Sequence, residues 1–218
     1  MTDAVELALS SGGRPSLVAL RTSSGCEAFE VEGRGTATTE AVATACQRAG
    51  IEARDIRAVR VEVGPGSFTG LRTAVVTART AAELGGARLC AFTRFELLAV
   101  AALRESDDEA RVCAEPMTFV LDARRGRVHR GLVALQDGIA KVIEPPCAVR
   151  IEEFDTEETG LVFLDASLDA ESLGVPSERV RELPTPIPDD LFDRRLLPEE
   201  KPSNEVLPLY LMGSTIDE

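Results

Sequence analysis

Val61-Glu62-Val63-Gly64-Pro65-Gly66-Ser67-Phe68-Thr69-Gly70-Leu71-Arg72 decides how the chain is read. A short apolar run ends in three glycines and a proline, and an alanine-rich pattern at helical spacing follows. That order predicts a strand, a tight loop and a helix N-terminus. Such a junction aims backbone N–H groups and the positive end of a helix dipole at one point, so it is a candidate anion loop. The phosphate templates fail, however. Leu71 stands where a Walker loop needs lysine, and Thr69 stands where a dinucleotide fingerprint needs glycine. Ser67 lacks the flanking glycines of a nucleophile elbow. A purely structural loop explains the same residues. Gly64 and Gly66 permit a sharp turn, Pro65 stiffens it, Ser67 or Thr69 caps the helix, and Gly70 lets that helix approach the sheet. Arg72, in the first turn, opposes the helix dipole and points to a partner carboxylate, a packing role or a solvated charge.

Outward from this loop the chain alternates. Residues 5–9, 17–20 and 27–31 predict strands, with Ser10-Ser11-Gly12-Gly13-Arg14-Pro15 as a turn. Helices are expected over 39–49, with Thr38 or Thr39 as N-cap, over 71–84, stopped by Gly85-Gly86, and over 94–104. Strands are expected at 58–63 and 88–92. The acidic run 105–109 predicts a linker. Strands at 117–121 and 128–135 follow, separated by the turn Asp122-Ala123-Arg124-Arg125-Gly126. Asp137-Gly138 is a hairpin signal leading to 139–143, and 161–164 is one more strand. Six prolines between Pro184 and Pro208 predict loops and short helices. The order is that of an α/β chain with a degenerate duplication: an N-terminal subdomain, 1–104, and a C-terminal one, 105–218.

With 218 residues and an apolar fraction of 44%, the chain can bury a proper core. Eight Phe, one Tyr and no Trp leave that core to Ala, Val and Leu. The net charge of −13 does not attract a phosphate backbone through the overall field, so any nucleic acid is expected on a partner. Five scattered cysteines, none at zinc or CxxC spacing, predict reduced core thiols in the cytosol. No signal peptide or membrane span is expected, and no metal site. The single histidine, His129, gives Ser67 no evident base. Asp122, at a strand end beside Arg124, is a candidate acid or a turn residue satisfying local N–H groups.

Gly64–Arg72, then Phe92-Thr93-Arg94-Phe95-Glu96-Leu97-Leu98-Ala99, Leu121-Asp122-Ala123-Arg124-Arg125-Gly126-Arg127-Val128 and Pro208-Leu209-Tyr210-Leu211 together resemble the TsaB (YeaZ) family. The resemblance implies an actin/Hsp70-like ATPase (ribonuclease H-like) fold of two subdomains, the second one reduced. It implies a non-catalytic scaffold that docks and stabilises TsaD, acts with TsaD and TsaE in forming threonylcarbamoyladenosine on tRNA, and meets tRNA through the complex. No cofactor of its own is implied; ATP and Mg belong to the partners. A cytoplasmic location and a homodimer are further expectations. Pairing through helices 39–49 and 71–84 is implied, with Ala43, Val76, Thr77 and Thr80 as contacts. The chain departs from the family in four places: Leu7-Ala8-Leu9-Ser10-Ser11-Gly12-Gly13 has no Asp where the family has a strand followed by Asp-Thr-Ser, Gly35-Thr36-Ala37-Thr38 replaces a His-Ser pair, His129 replaces a Tyr, and Met212 replaces an Arg. The alternative is an independent ATP-binding, small-molecule kinase-like enzyme of the same fold.

Overall fold

A computed structural model describes residues 5–32, 36–107, 109–155, 160–196 and 199–211. Gly35, Asp108 and Met212 lie outside the described residues. Two compact units emerge, one made of residues 1–94 and 187–209, the other of 95–186 and 210–218. The division falls before the third helix, not at the acidic run expected to separate the subdomains, and a late segment returns to the first unit. The physical reason is burial. The helix Arg94–Glu105 (α3) is apolar on nearly every side and belongs within a core, so it does not end a unit.

In the first unit, β1 (Val5–Ser10), β2 (Ser16–Thr22) and β3 (Gly25–Val31) form an antiparallel meander. β4 (Ile56–Glu62) and β5 (Arg88–Phe92) run parallel to β1. The short β6 (Glu199–Glu200) pairs with β5 and gives the sheet order β6-β5-β4-β1-β2-β3. Helices α1 (Ala37–Ala49) and α2 (Phe68–Gly85) carry the crossovers between parallel strands. Their small residues, Ala41, Ala45, Ala74, Ala78 and Ala82, pack on Leu7, Leu9, Val18, Leu20, Val59 and Val61. Burying each such Val or Leu contributes about 1.5–3 kcal/mol.

The opposite face carries polar groups. Glu6 pairs with Arg21 at 2.7 Å and lies 3.6 Å from Arg60. The segment Pro188–Phe192, a 3-10 turn, covers them: Phe192 sits under Arg21 at 4.4 Å, and Arg60 donates to the Leu191 and Leu196 carbonyls. Burial pushes the Arg60 guanidinium below its ordinary value, and Glu6 opposes that shift.

The second unit repeats the meander. β7 (Met117–Arg124), β8 (Arg127–Gln136) and β9 (Ile139–Val142) are antiparallel, and β10 (Cys147–Arg150) also pairs with β8. β11 (Val162–Leu164) and β12 (Val180–Glu182) run parallel to β7. Strand order and directions match β5-β4-β1-β2-β3 of the first unit, but among the described residues no α-helix links β10 to β11 or β11 to β12. This is the expected duplication with a reduced second half.

Three local expectations are corrected. The N-cap of α1 is Thr36, not Thr38 or Thr39: the helix starts earlier, Thr38 is buried inside it, and Thr36 bonds the Glu40 carboxylate at 2.6 Å. The run 105–109 is not all linker, because α3 ends at Glu105 and α4 spans Glu109–Ala114. Of the cysteines only Cys46 is fully buried; Cys26 and Cys113 are exposed. Cys26 lies on β3, an edge strand on which Cys26, Ala28 and Glu30 alternate outward as exposed residues.

Candidate functional site

The glycine loop is held by its own backbone. The Ser67 N–H donates to the Gly12 carbonyl at 3.0 Å and the Leu71 N–H to the Ser67 carbonyl at 2.9 Å. The Ser67 hydroxyl caps α2 by accepting from the Gly70 N–H at 3.3 Å. A Cβ on Gly66 would run into the Gly12 backbone, and one on Gly70 into the Ser11 carbonyl. Gly64 has φ +116° and accepts from the Arg94 N–H at 2.8 Å. The loop therefore clamps the β1–β2 turn to α2. The Ser67, Gly70 and Leu71 amides are thus bonded within the loop, the turn and the helix.

Beside the clamp lies a charge that sequence reading missed. Glu62, at the end of β4, is fully buried. Its carboxylate accepts from the Ser10 hydroxyl and from the Gly12 N–H at 3.3 Å, and Oε1 faces Arg94 at 3.8 Å. A Cβ on Gly12 would run into the Glu62 carboxylate, and one on Gly13 into the Arg94 guanidinium. At the β1–β2 turn, Ser10 thus reaches a carboxylate supplied by the neighbouring strand. A glutamate inside the apolar run Val61-Glu62-Val63 was the signal available in the sequence.

Helices α1 and α2 lie side by side, joined by a Thr39–Thr77 hydroxyl contact of 3.0 Å. Ala43 and Thr80 are exposed and Thr77 is half-buried. Phe68, Arg72, Val76, Thr80 and Leu84 follow one another at i, i+4 spacing along α2, so they form one ridge. Phe68 is 57% exposed, Val76 55% and Leu84 64%. Arg72 is exposed on the same ridge.

In the second unit, Asp122 accepts the Arg124 N–H at 2.7 Å and lies 3.5 Å from its guanidinium, so its carboxylate serves the turn. His129, on β8, is half-buried and its Nδ1 has no hydrogen-bond partner. Burial pushes its pKa below the ordinary 6.5, against the pull of Asp122. The unfolded chain then binds the proton more readily. Stability from this residue is full above about pH 6.5 and is lost as pH falls through the depressed folded value. Thermal melts from about pH 8 to 5 should show wild type losing stability relative to His129→Gln on acidification; parallel curves would refute this. Among the described residues no group of three or more His, Cys, Asp or Glu side chains could hold a metal.

The TsaD family model, described as tRNA N6-adenosine threonylcarbamoyltransferase, matches residues 36–158, more than half of the chain. The chain belongs to the TsaD family. Membership ties it to threonylcarbamoyl modification of tRNA adenosine. Two solved structures share the TsaD-family chain's fold. An uncharacterized protein from Pseudomonas aeruginosa with similarity to peptidase YeaZ has TM-score 0.75 and 21% identity, over 96% of this chain and 100% of that one. YeaZ from Pseudomonas aeruginosa has TM-score 0.74 and 22% identity, over 95% and 100%. The fold is therefore that of YeaZ. No curated protein sequence matches the chain. Among the described residues no helix is long and apolar enough to cross a membrane.

Proposed function

We propose that this TsaD-family chain is a non-catalytic subunit of the TsaB type, which docks and stabilises TsaD in the complex that forms threonylcarbamoyladenosine on tRNA. The observation that carries this reading is the outer ridge of α2. The helix already buries Leu71, Ala74, Val75, Ala78, Ala81 and Ala82 against its sheet. Phe68, Val76 and Leu84 remain as large apolar side chains in water on the other side. A ridge of this kind fits a groove on a partner helix, and Arg72 supplies a charged anchor for a partner carboxylate. Ala43 on α1 and Thr77 and Thr80 on α2 complete the proposed contact, and a homodimer would use the same face. TsaE and tRNA are met through the assembly in the cytoplasm, and ATP and Mg are bound by the partners. Against the kinase-like alternative, a phosphate brought to the β1–β2 turn would meet the Glu62 carboxylate, which costs electrostatic energy.

The test is co-purification of the full chain with TsaD of the same organism. Val76→Arg, on an exposed helix position, should change stability by no more than about 0.5 kcal/mol, yet it should abolish the complex by placing an unpaired charge in the contact. A complex indifferent to the substitution would remove α2 as the interface. Two folded proteins that do not associate would overturn the scaffold reading, and nucleotide-dependent thermal stabilisation would then favour the kinase-like one.

A further inference from the structure

The turn between β7 and β8 carries an arrangement that neither the fold nor the ridge on α2 requires. Arg124 and Arg127 close the hairpin, and Arg125 and Gly126 are its two central residues. Arg124, Arg125 and Gly126 all have positive φ, at 68°, 54° and 69°. Such two-residue turns favour Asn or Gly at the first central position, because other side chains are strained there. This turn spends that position on an arginine. Beside it, Arg127 on β8 stands directly opposite Arg150 on β10. Like charges directly opposite on a ladder destabilise it. Arg125 and Arg150 are exposed, and the Arg124 side chain is 87% exposed. Among the described residues no carboxylate pairs with Arg125, Arg127 or Arg150; Arg124 has Asp122, and Glu152 and Glu153 follow Arg150 on an exposed turn. In a chain of net charge −13, composition alone does not gather four guanidinium groups at one hairpin tip.

We propose that this tip is an RNA-contacting surface, in which Arg125, Arg127 and Arg150 engage backbone phosphates of the tRNA. Like-charge opposition, unfavourable in the free chain, becomes favourable once phosphate oxygens lie between the guanidiniums. An exposed hairpin tip suits a continuous row of phosphates, and the family acts on tRNA. The proposal deepens the reading above and rests on it for the identity of the RNA. It changes one expectation, since tRNA would touch this chain directly despite its acidic total charge. The local field within about one Debye length, about 8–10 Å, governs such a contact.

The test uses a fluorescent tRNA transcript titrated with the full chain between about 50 and 200 mM salt. Wild type should bind with an affinity that falls steeply as salt rises. Arg125→Asn with Arg150→Ala keeps a residue tolerant of positive φ in the turn and removes the opposed charge, so the fold should hold or gain stability in a thermal melt. Loss of two phosphate contacts should weaken binding by an order of magnitude or more at about 50 mM salt and lower the salt slope by about two. Arg127→Ala alone, within β8 and outside the positive-φ turn, should lower the slope by about one. Absence of RNA binding by folded wild type, or a slope unchanged in both variants, would overturn the proposal. Binding of polyglutamate in place of RNA would do the same and assign the tip to an acidic protein segment. A chain that still co-purifies with TsaD while ignoring RNA would leave the scaffold reading standing.

Discussion

Arg94→Ala is expected to destabilise the first compact unit by about 3–5 kcal/mol, because it leaves a buried carboxylate without its counter-charge. Glu62 is fully buried, and Arg94, 16% exposed, is the only cation within 4 Å of it among the described residues. Its remaining partners, the Ser10 hydroxyl and the Gly12 N–H, both bond Oε2, whereas Oε1 has no hydrogen bond. Urea unfolding of the full chain would read the loss as a lower midpoint at unchanged slope. Adding Glu62→Gln should recover most of it, since the neutral amide needs no counter-ion. The cycle of two single variants and the double should give a coupling well above the few tenths expected of independent sites. A cost under about 1 kcal/mol for Arg94→Ala would mean that the pair adds little to stability.

Gly66→Ala is the second large effect. The added methyl would meet the Gly12 Cα and carbonyl, backbone against backbone, where no side-chain rotamer can yield. Overpacking of this kind costs about 1–3 kcal/mol and more where the chain cannot move apart. The movement would stretch the Ser67 N–H bond to Gly12 and tilt the first turn of α2, which carries Phe68 and Arg72. Two readouts should therefore fail together: the unfolding midpoint and the association with TsaD. Ala at Gly86 instead has nothing within 4 Å to strike, and only its φ of +58° is strained. A cost there of about 1 kcal/mol gives the scale against which Gly66 is read.

Local signals carried most of the architecture. Strands β1 to β5, helices α1 to α3 and the Asp137-Gly138 hairpin, with φ of 54° and 76°, follow from periodicity and turn chemistry. The short β6, β10 and β12 do not, because two to four residues leave no period to detect; their partners in the sheet define them. Capping chemistry alone could not choose among Thr36, Thr38 and Thr39, since all three are acceptable caps. The glycine loop was legible as strand, turn and helix. That its glycines serve backbone contact with the β1–β2 turn depends on residues far apart in sequence, as does the pairing of Glu62 with Arg94. The exposed ridge on α2 follows from the helix period once its buried face is known.

The return of residues 187–209 to the first unit bears on how the chain is made. A nascent chain that has emerged through Arg94 holds the meander, β4 and β5, but not the segment that covers Glu6, Arg21 and Arg60 or the strand that closes the β5 edge. Continuous domains can fold as they leave the ribosome, N-terminal first. Here the first unit waits, with an open sheet edge, for residues that are added only after 95–186 have been made. The half of the molecule that begins first must wait for residues made after most of the second unit.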